Sequence, residues 1–186
     1  MGKTLDRAII YTVIAHEGQL RKGTELPYIL HPLEAASIAG TMTNDEEVIA
    51  AAVLHDVVED SDAAIEDIIH LFGSRIGSLV AAESENKRAN LPAADTWRLR
   101  KQETLDHLKT APTEVKIITL ADKLSNIRAI HRDFRTVGDA LWQRFNQKDK
   151  AAHRWYYESI AAHLAELDGF PAYQEYCKLV QETFSM

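Results

Sequence analysis

The sequence predicts an all-α fold, and three observations carry that reading. Apolar residues recur at helical spacing along almost the whole chain. No clean period-two alternation marks a strand, and no Asn-Gly or Asp-Gly pair joins two alternating runs into a hairpin. Pro and Gly stand where helices begin and end, with Pro32, Pro112 and Pro171 each suited to a first helical turn. The 186 residues suit a single compact domain over 1–186 that buries enough surface to fold without staples.

The elements follow in order. Leu5, Ile9, Thr12, Val13 and His16 form one face of a first helix. A basic, Gly-containing loop from Gly18 to Pro27 precedes a second helix with His31 at its mouth. Asn44 or Asp45 can cap a third that turns Val48, Ala51, Ala52, His55 and Val58 inward. Ser61 or Asp62 is expected to cap a fourth, bearing Ile65, Ile68, Ile69 and Phe72 at i, i+3, i+4, i+7 and ended by Gly73. Ile76, Leu79 and Val80 mark the next helix, and residues 83–95 read as a polar loop containing Pro92. Helices are expected over 96–109, 112–131, 149–167 and 171–184, with an irregular connection over 134–148.

Composition bounds the function. Cys177 is the only cysteine, so no intramolecular disulfide forms. The N-terminus lacks the apolar core of a signal peptide, and no apolar run reaches the roughly 20 residues of a membrane span. A cytoplasmic protein without a membrane partner is expected; oligomeric state is not legible. Twenty-eight acidic against 21 basic residues give a formal charge of −7, which argues against a duplex nucleic-acid partner. A small phosphorylated ligand remains compatible, because one metal and a few local cations outweigh a distant negative surface.

His55 and Asp56 are an imidazole–carboxylate pair inside the apolar run VIAAAVLHDVVED. Two polar groups on such a helix cost stability unless they find partners. Asp122 repeats the situation in VKIITLADKLSNIRAI, following Val115 and Ile118 on the apolar face. Each residue alone has a plainer explanation as a hydrogen-bonded core group. Together, a His at a helix start, a His-Asp pair 24 residues later and a distant helical Asp make a ligand set of His31, His55, Asp56 and Asp122. Its nitrogen and oxygen donors suit Mn²⁺, Fe²⁺ or Zn²⁺, and Mn²⁺ is the expected ion. Glu59 and Asp60 follow His55 and Asp56 by four residues, one helical turn on, and should flank such a metal.

This order resembles the H…HD…D signature of the HD-domain metal-dependent phosphohydrolases. The flanking segments AHEGQLRKGTELPYILHP, LHDVVEDS and LADKLSNIR resemble the hydrolase domain of RelA/SpoT homologues, most strongly over residues 3–131 and more weakly over 132–160. At this length the chain most resembles the stand-alone small alarmone hydrolases. The resemblance implies metal-dependent release of pyrophosphate from guanosine 3′-diphosphates, (p)ppGpp, with Glu59 and Asp60 as the catalytic pair. It places Arg21, Lys22 and Asn126 around the guanine nucleotide: arginine can stack on a base, lysine can pair with phosphate, and an Asn amide can read a purine edge. A helix-packing role is the alternative for Asn126. Lys87 is a further candidate, in a loop that would approach the diphosphate. Two positions depart from the pattern. Ser61 stands where threonine is usual, and Ser125 where the family often has a bulkier residue, so base packing is expected to differ. Two other readings stand beside the alarmone hydrolase: an HD phosphohydrolase of another nucleotide or of NADPH, and a catalytically silent domain that binds metal and nucleotide.

Overall fold

The computed structural model describes residues 3–85, 88 and 90–185. Among these residues every extended element is α-helical, apart from two 3₁₀ segments and one isolated bridge between Leu20 and Pro27. The helices are α1 (Lys3–Ala15), α2 (Leu30–Ala39), α3 (Glu46–Leu54), α4 (Val57–Asp60), α5 (Ile65–Phe72), α6 (Ser74–Glu83), α7 (Ala93–Leu108), α8 (Thr113–Val137), α9 (Lys150–His163) and α10 (Pro171–Ser185). The 3₁₀ segments are Gly138–Arg144 and Ala165–Leu167. None of the helices is long and apolar enough to cross a membrane.

The chain forms two compact units. The first takes residues 1–84 and 112–125 and is centred on α3. Val48 and Ala50 to Leu54 are all buried, so α3 is apolar nearly all round, and α1, α2 and α6 pack against it. Small side chains at Ala50, Ala51 and Ala52 let those neighbours approach closely. Two polar ties fix α1 on α3. Glu46 accepts hydrogen bonds from the Thr4 and Leu5 N–H groups at 3.0 Å each, filling donors that the first turn of α1 leaves open. The buried Thr12 hydroxyl donates to the Val53 carbonyl at 3.1 Å. The Asp45 carboxylate caps α3 as expected, accepting the Glu47 N–H at 3.0 Å.

The second unit takes residues 85–111 and 126–186, with α9 packed on α7 and α10. Its core is aromatic: Trp142 stacks on Phe184 at 5.7 Å, Tyr157 on Tyr176 at 6.3 Å, and the Tyr176 hydroxyl donates to the Tyr157 carbonyl at 2.9 Å. His153 is buried there, its Nε2 bonded to the Gln147 carbonyl at 2.8 Å, which accounts for it as a packing residue.

Several boundaries differ from expectation: α7 starts early, at Ala93, α9 ends early, at His163, and three further differences have a local cause. The third helix does not run through Val58, because His55 and Asp56 form a turn between α3 and α4. The fourth expected helix starts at Ile65, not after Ser61 or Asp62: the Asp67 carboxylate accepts the Ala64 N–H at 2.9 Å. Ser61 instead closes α4, donating to the Val57 carbonyl at 2.7 Å and accepting from the Ala63 N–H at 3.2 Å. A threonine hydroxyl offers the same donor and acceptor, so the Thr-to-Ser departure costs this site no hydrogen bond. Finally, α8 continues past residue 131 because Ile130 and Phe134 prolong its buried spacing, until Gly138 at φ +58° stops it.

Candidate metal centre

All four residues expected as ligands lie in the first unit. His31 comes from the first turn of α2, His55 and Asp56 from the turn between α3 and α4, and Asp122 from α8. His31 Nε2 is 3.2 Å from Asp122 Oδ1 and 3.4 Å from Asp56 Oδ2. His55 Nε2 is 3.0 Å from Asp56 Oδ2 and 3.6 Å from Asp122 Oδ1. One donor atom from each of His31, His55 and Asp122 falls within 4.8 Å of the others, and all three side chains are buried.

The hydrogen bonding around this cluster tests whether a metal fits. The His55 Nδ1–H donates to the Ala52 carbonyl at 2.8 Å, which in the neutral ring leaves Nε2 with the lone pair. That Nε2 is buried with no hydrogen-bond partner. It faces two carboxylates, which also bring only lone pairs. Neutral imidazole lone pairs that face carboxylates need a cation between them, or else protons taken up by the rings. The residues therefore fit a divalent ion bound by nitrogen and oxygen.

The electrostatics follow. Burial would lower the His55 pKa, yet Asp56 and Asp122 beside it hold it well above the ordinary imidazole value. Burial would raise Asp56, but His55 and His31 hold its carboxyl well below the usual range. Asp122 is held down in the same way against its burial, first by Lys123, whose Nζ lies 2.5 Å from Oδ2, and then by the two histidines. The His55 imidazole supplies positive charge that a bound cation would replace.

Residues around the cluster extend it. The Tyr28 hydroxyl donates to Asp56 Oδ2 at 2.5 Å and lies 3.3 Å from Asp60 Oδ2. The Gln19 amide donates to the Asp60 carbonyl at 2.7 Å, and its oxygen meets His16 Nδ1 at 2.9 Å. His31 Nδ1 bonds Ser125 Oγ at 2.8 Å, and the Ser125 hydroxyl donates to Glu34 Oε2 at 2.7 Å. At the end of α6, Glu83 accepts from the Thr119 hydroxyl at 2.7 Å. Burial pushes its carboxyl up to about 7, against the pull of Thr119 and Lys123. The sequence reading did not single out Tyr28, Glu34 or Glu83. Tyr28 and Glu34 were within reach, each three residues from His31. Glu83 carries no motif.

The remaining candidates are less concentrated. Asp60 keeps its turn relation to Asp56, since the Asp60 N–H bonds the Asp56 carbonyl at 2.9 Å; its side chain is exposed, and that of Glu59 half-buried. The Arg21 guanidinium lies over the Tyr28 ring, 5.6 Å from its centroid, and Lys22 is exposed in the same loop. Asn126 is half-buried on α8, four residues after Asp122, and groups with the second unit. Lys87 lies outside the described residues.

A family model described as an HD domain matches residues 8–149. The chain belongs to the HD-domain family. Among its relatives, the zebrafish (Danio rerio) guanosine-3′,5′-bis(diphosphate) 3′-pyrophosphohydrolase MESH1 is 37% identical over 121 residues, covering 63% of each chain. A probable enzyme of the same name from Synechocystis is 35% identical over 124 residues, 67% of this chain and 16% of that one. A GTP pyrophosphokinase of Myxococcus xanthus is 33% identical over 129 residues, and the chain spans 17% of its length. Two solved structures share the architecture. One, lmo0812 from Listeria monocytogenes EGD-e, has a TM-score of 0.73 at 31% identity, covering 84% of this chain and 99% of that one. The other is a metazoan orthologue of SpoT described as hydrolysing ppGpp, with a TM-score of 0.77 at 26% identity, covering 97% and 95%. The HD-domain chain thus keeps the company that its RelA/SpoT-like segments predict.

Proposed function

We propose that this HD-domain protein is a metal-dependent (p)ppGpp 3′-pyrophosphohydrolase acting in the cytoplasm. The observation that carries the reading is the convergence of His31, His55, Asp56 and Asp122 on one buried centre, in a chain similar to proteins named for this reaction. These four side chains would hold the ion, for which Mn²⁺ suits the mixed donor set. When bound, the ion supplies Lewis acidity that activates water and draws charge from a phosphate oxygen. Glu59 and Asp60 are the acid–base pair. One of them takes a proton from the attacking water as its oxygen bonds to phosphorus, and a proton passes to the ribose 3′-oxygen as the P–O3′ bond breaks. Tyr28, bonded to Asp56 and close to Asp60, keeps ligand and acid in register. Arg21 and Asn126 hold the guanine base, while Lys22 and Lys87 offset the charge of the diphosphate.

The test offers ppGpp, GTP, GMP and NADPH side by side with Mn²⁺ and identifies the products by chromatography. Pyrophosphate and GDP from ppGpp, with little turnover of the others, is the expected result. Intact ppGpp beside rapid consumption of another nucleotide would move the assignment to a different substrate. No turnover of any of them, with metal bound, would favour the silent binding domain.

A further inference from the structure

We propose that Ser125 and Glu34 are positioning residues for His31, a two-step relay that fixes which ring nitrogen faces the metal centre. The proposal rests on the metal-centre reading above and assigns to Ser125 a role that its position in the sequence does not suggest.

A serine hydroxyl carries one hydrogen. Here that hydrogen goes to Glu34 Oε2 at 2.7 Å, so Ser125 Oγ presents only lone pairs to His31 Nδ1, 2.8 Å away. His31 must therefore carry its hydrogen on Nδ1, and its Nε2 keeps the lone pair that faces Asp56 and Asp122. In the reverse arrangement Nε2–H would point at the carboxylates and close the centre to a cation. In that form Ser125 would donate to His31 and lose its bond to Glu34. The ionised carboxylate thus selects the ligating tautomer, and by polarising the hydroxyl it makes Nε2 a stronger donor to metal.

The surroundings support the assignment. His31 and Ser125 are 4% and 2% exposed, so water does not replace the relay. Glu34 follows His31 by three residues on α2, and Ser125 follows Asp122 by three on α8, so the relay joins the two helices that supply those ligands. His55 is oriented differently, by the backbone carbonyl of Ala52, which no side-chain substitution removes.

The experiment measures Mn²⁺ affinity of the full chain by calorimetry, with the metal-free melting temperature as a control for folding. Ser125→Ala and Glu34→Gln should each raise the Kd by about 10–100-fold, the usual cost of removing such a partner. The double variant should be no worse than the weaker-binding single variant, because both residues act through one chain of bonds. Nitrogen chemical shifts of His31 in the metal-free protein at pH 8 should report a protonated Nδ1 in the wild type and a mixture of tautomers in Ser125→Ala. Wild-type Kd values in both single variants, multiplying losses in the double, or an Nε2-protonated His31 in the wild type would each overturn the relay. Should Ser125→Ala misfold, Glu34→Gln and the wild-type tautomer still decide. A wild type that binds no Mn²⁺ would instead sink the metal-centre reading, with the tautomer still judging the relay.

Discussion

At the scale of the residue, the centre is governed by what buried carboxylates require. Asp122 is buried and Asp56 mostly so; both stay ionised because His31, His55 and Lys123 surround them. Glu83 is the contrasting case: burial pushes its carboxyl up from an ordinary 4.5 to about 7. In the unfolded chain it ionises near the ordinary value, so between these pH values the native state binds the extra proton. The stabilising contribution is complete below the unfolded value and is lost as pH rises through about 7. Glu83→Gln keeps an acceptor for Thr119 and removes the ionisation. In metal-free protein, the variant should match the wild type in melting temperature at pH 4, and exceed it by ~2–6 °C at pH 8.5. A variant that melts below the wild type at pH 8.5 would show that the Glu83 charge is well compensated in the folded state.

At the scale of the element, the turn at His55-Asp56 is what brings the two kinds of carboxylate together. Both residues keep helical backbone angles, with Asp56 opened to φ −93° and ψ −8°. The Glu59 and Asp60 N–H groups both bond the Asp56 carbonyl, at 3.1 and 2.9 Å, so α4 starts afresh from the ligand itself. The acidic pair is therefore fixed to Asp56 through the backbone and not by burial of its own side chains. Glu59→Gln and Asp60→Asn should leave the fold and metal occupancy near normal, while turnover of ppGpp falls by ~10²-fold or more. Metal analysis and initial rates on the same preparations check this. Wild-type rates in both variants would reduce the pair to a charged helix end.

At the scale of the whole molecule, the proposed ion is a folding ligand as well as a cofactor. His31, Asp56 and Asp122 are far apart in sequence and meet only in the native state, so an ion held there stabilises that state by mass action. At 100 times the Kd the gain is about 2.7 kcal/mol. For a chain of this size that corresponds to a rise of ~5–10 °C in melting temperature. Mn²⁺ should produce such a rise and EDTA should reverse it, as followed by circular dichroism. A melting temperature indifferent to both would mean that the cluster holds no ion. His55 must also shed its proton to bind metal, so the rise should shrink as pH falls.

The amino-acid sequence by itself determined the helical class and the buried α3, narrowed the α3 cap to Asn44 or Asp45, and supplied the four candidate ligands that the proposal uses. These are local properties: helical spacing, a capping side chain, and polar residues stranded on apolar faces. The sequence reading places the end of α8 too early, at 131, although the buried spacing continues to Phe134 and Gly138 stops it. Tertiary structure alone decided the turn at His55-Asp56, the reach of Tyr28 to Asp56, the relay from Glu34 through Ser125 to His31, and the raised carboxyl of Glu83. The last three depend on residues 28 or more positions apart, or on how tightly neighbours exclude water. Periodicity along a chain records which side of a helix faces inward; which atoms it meets there is set by the packing of other helices against it.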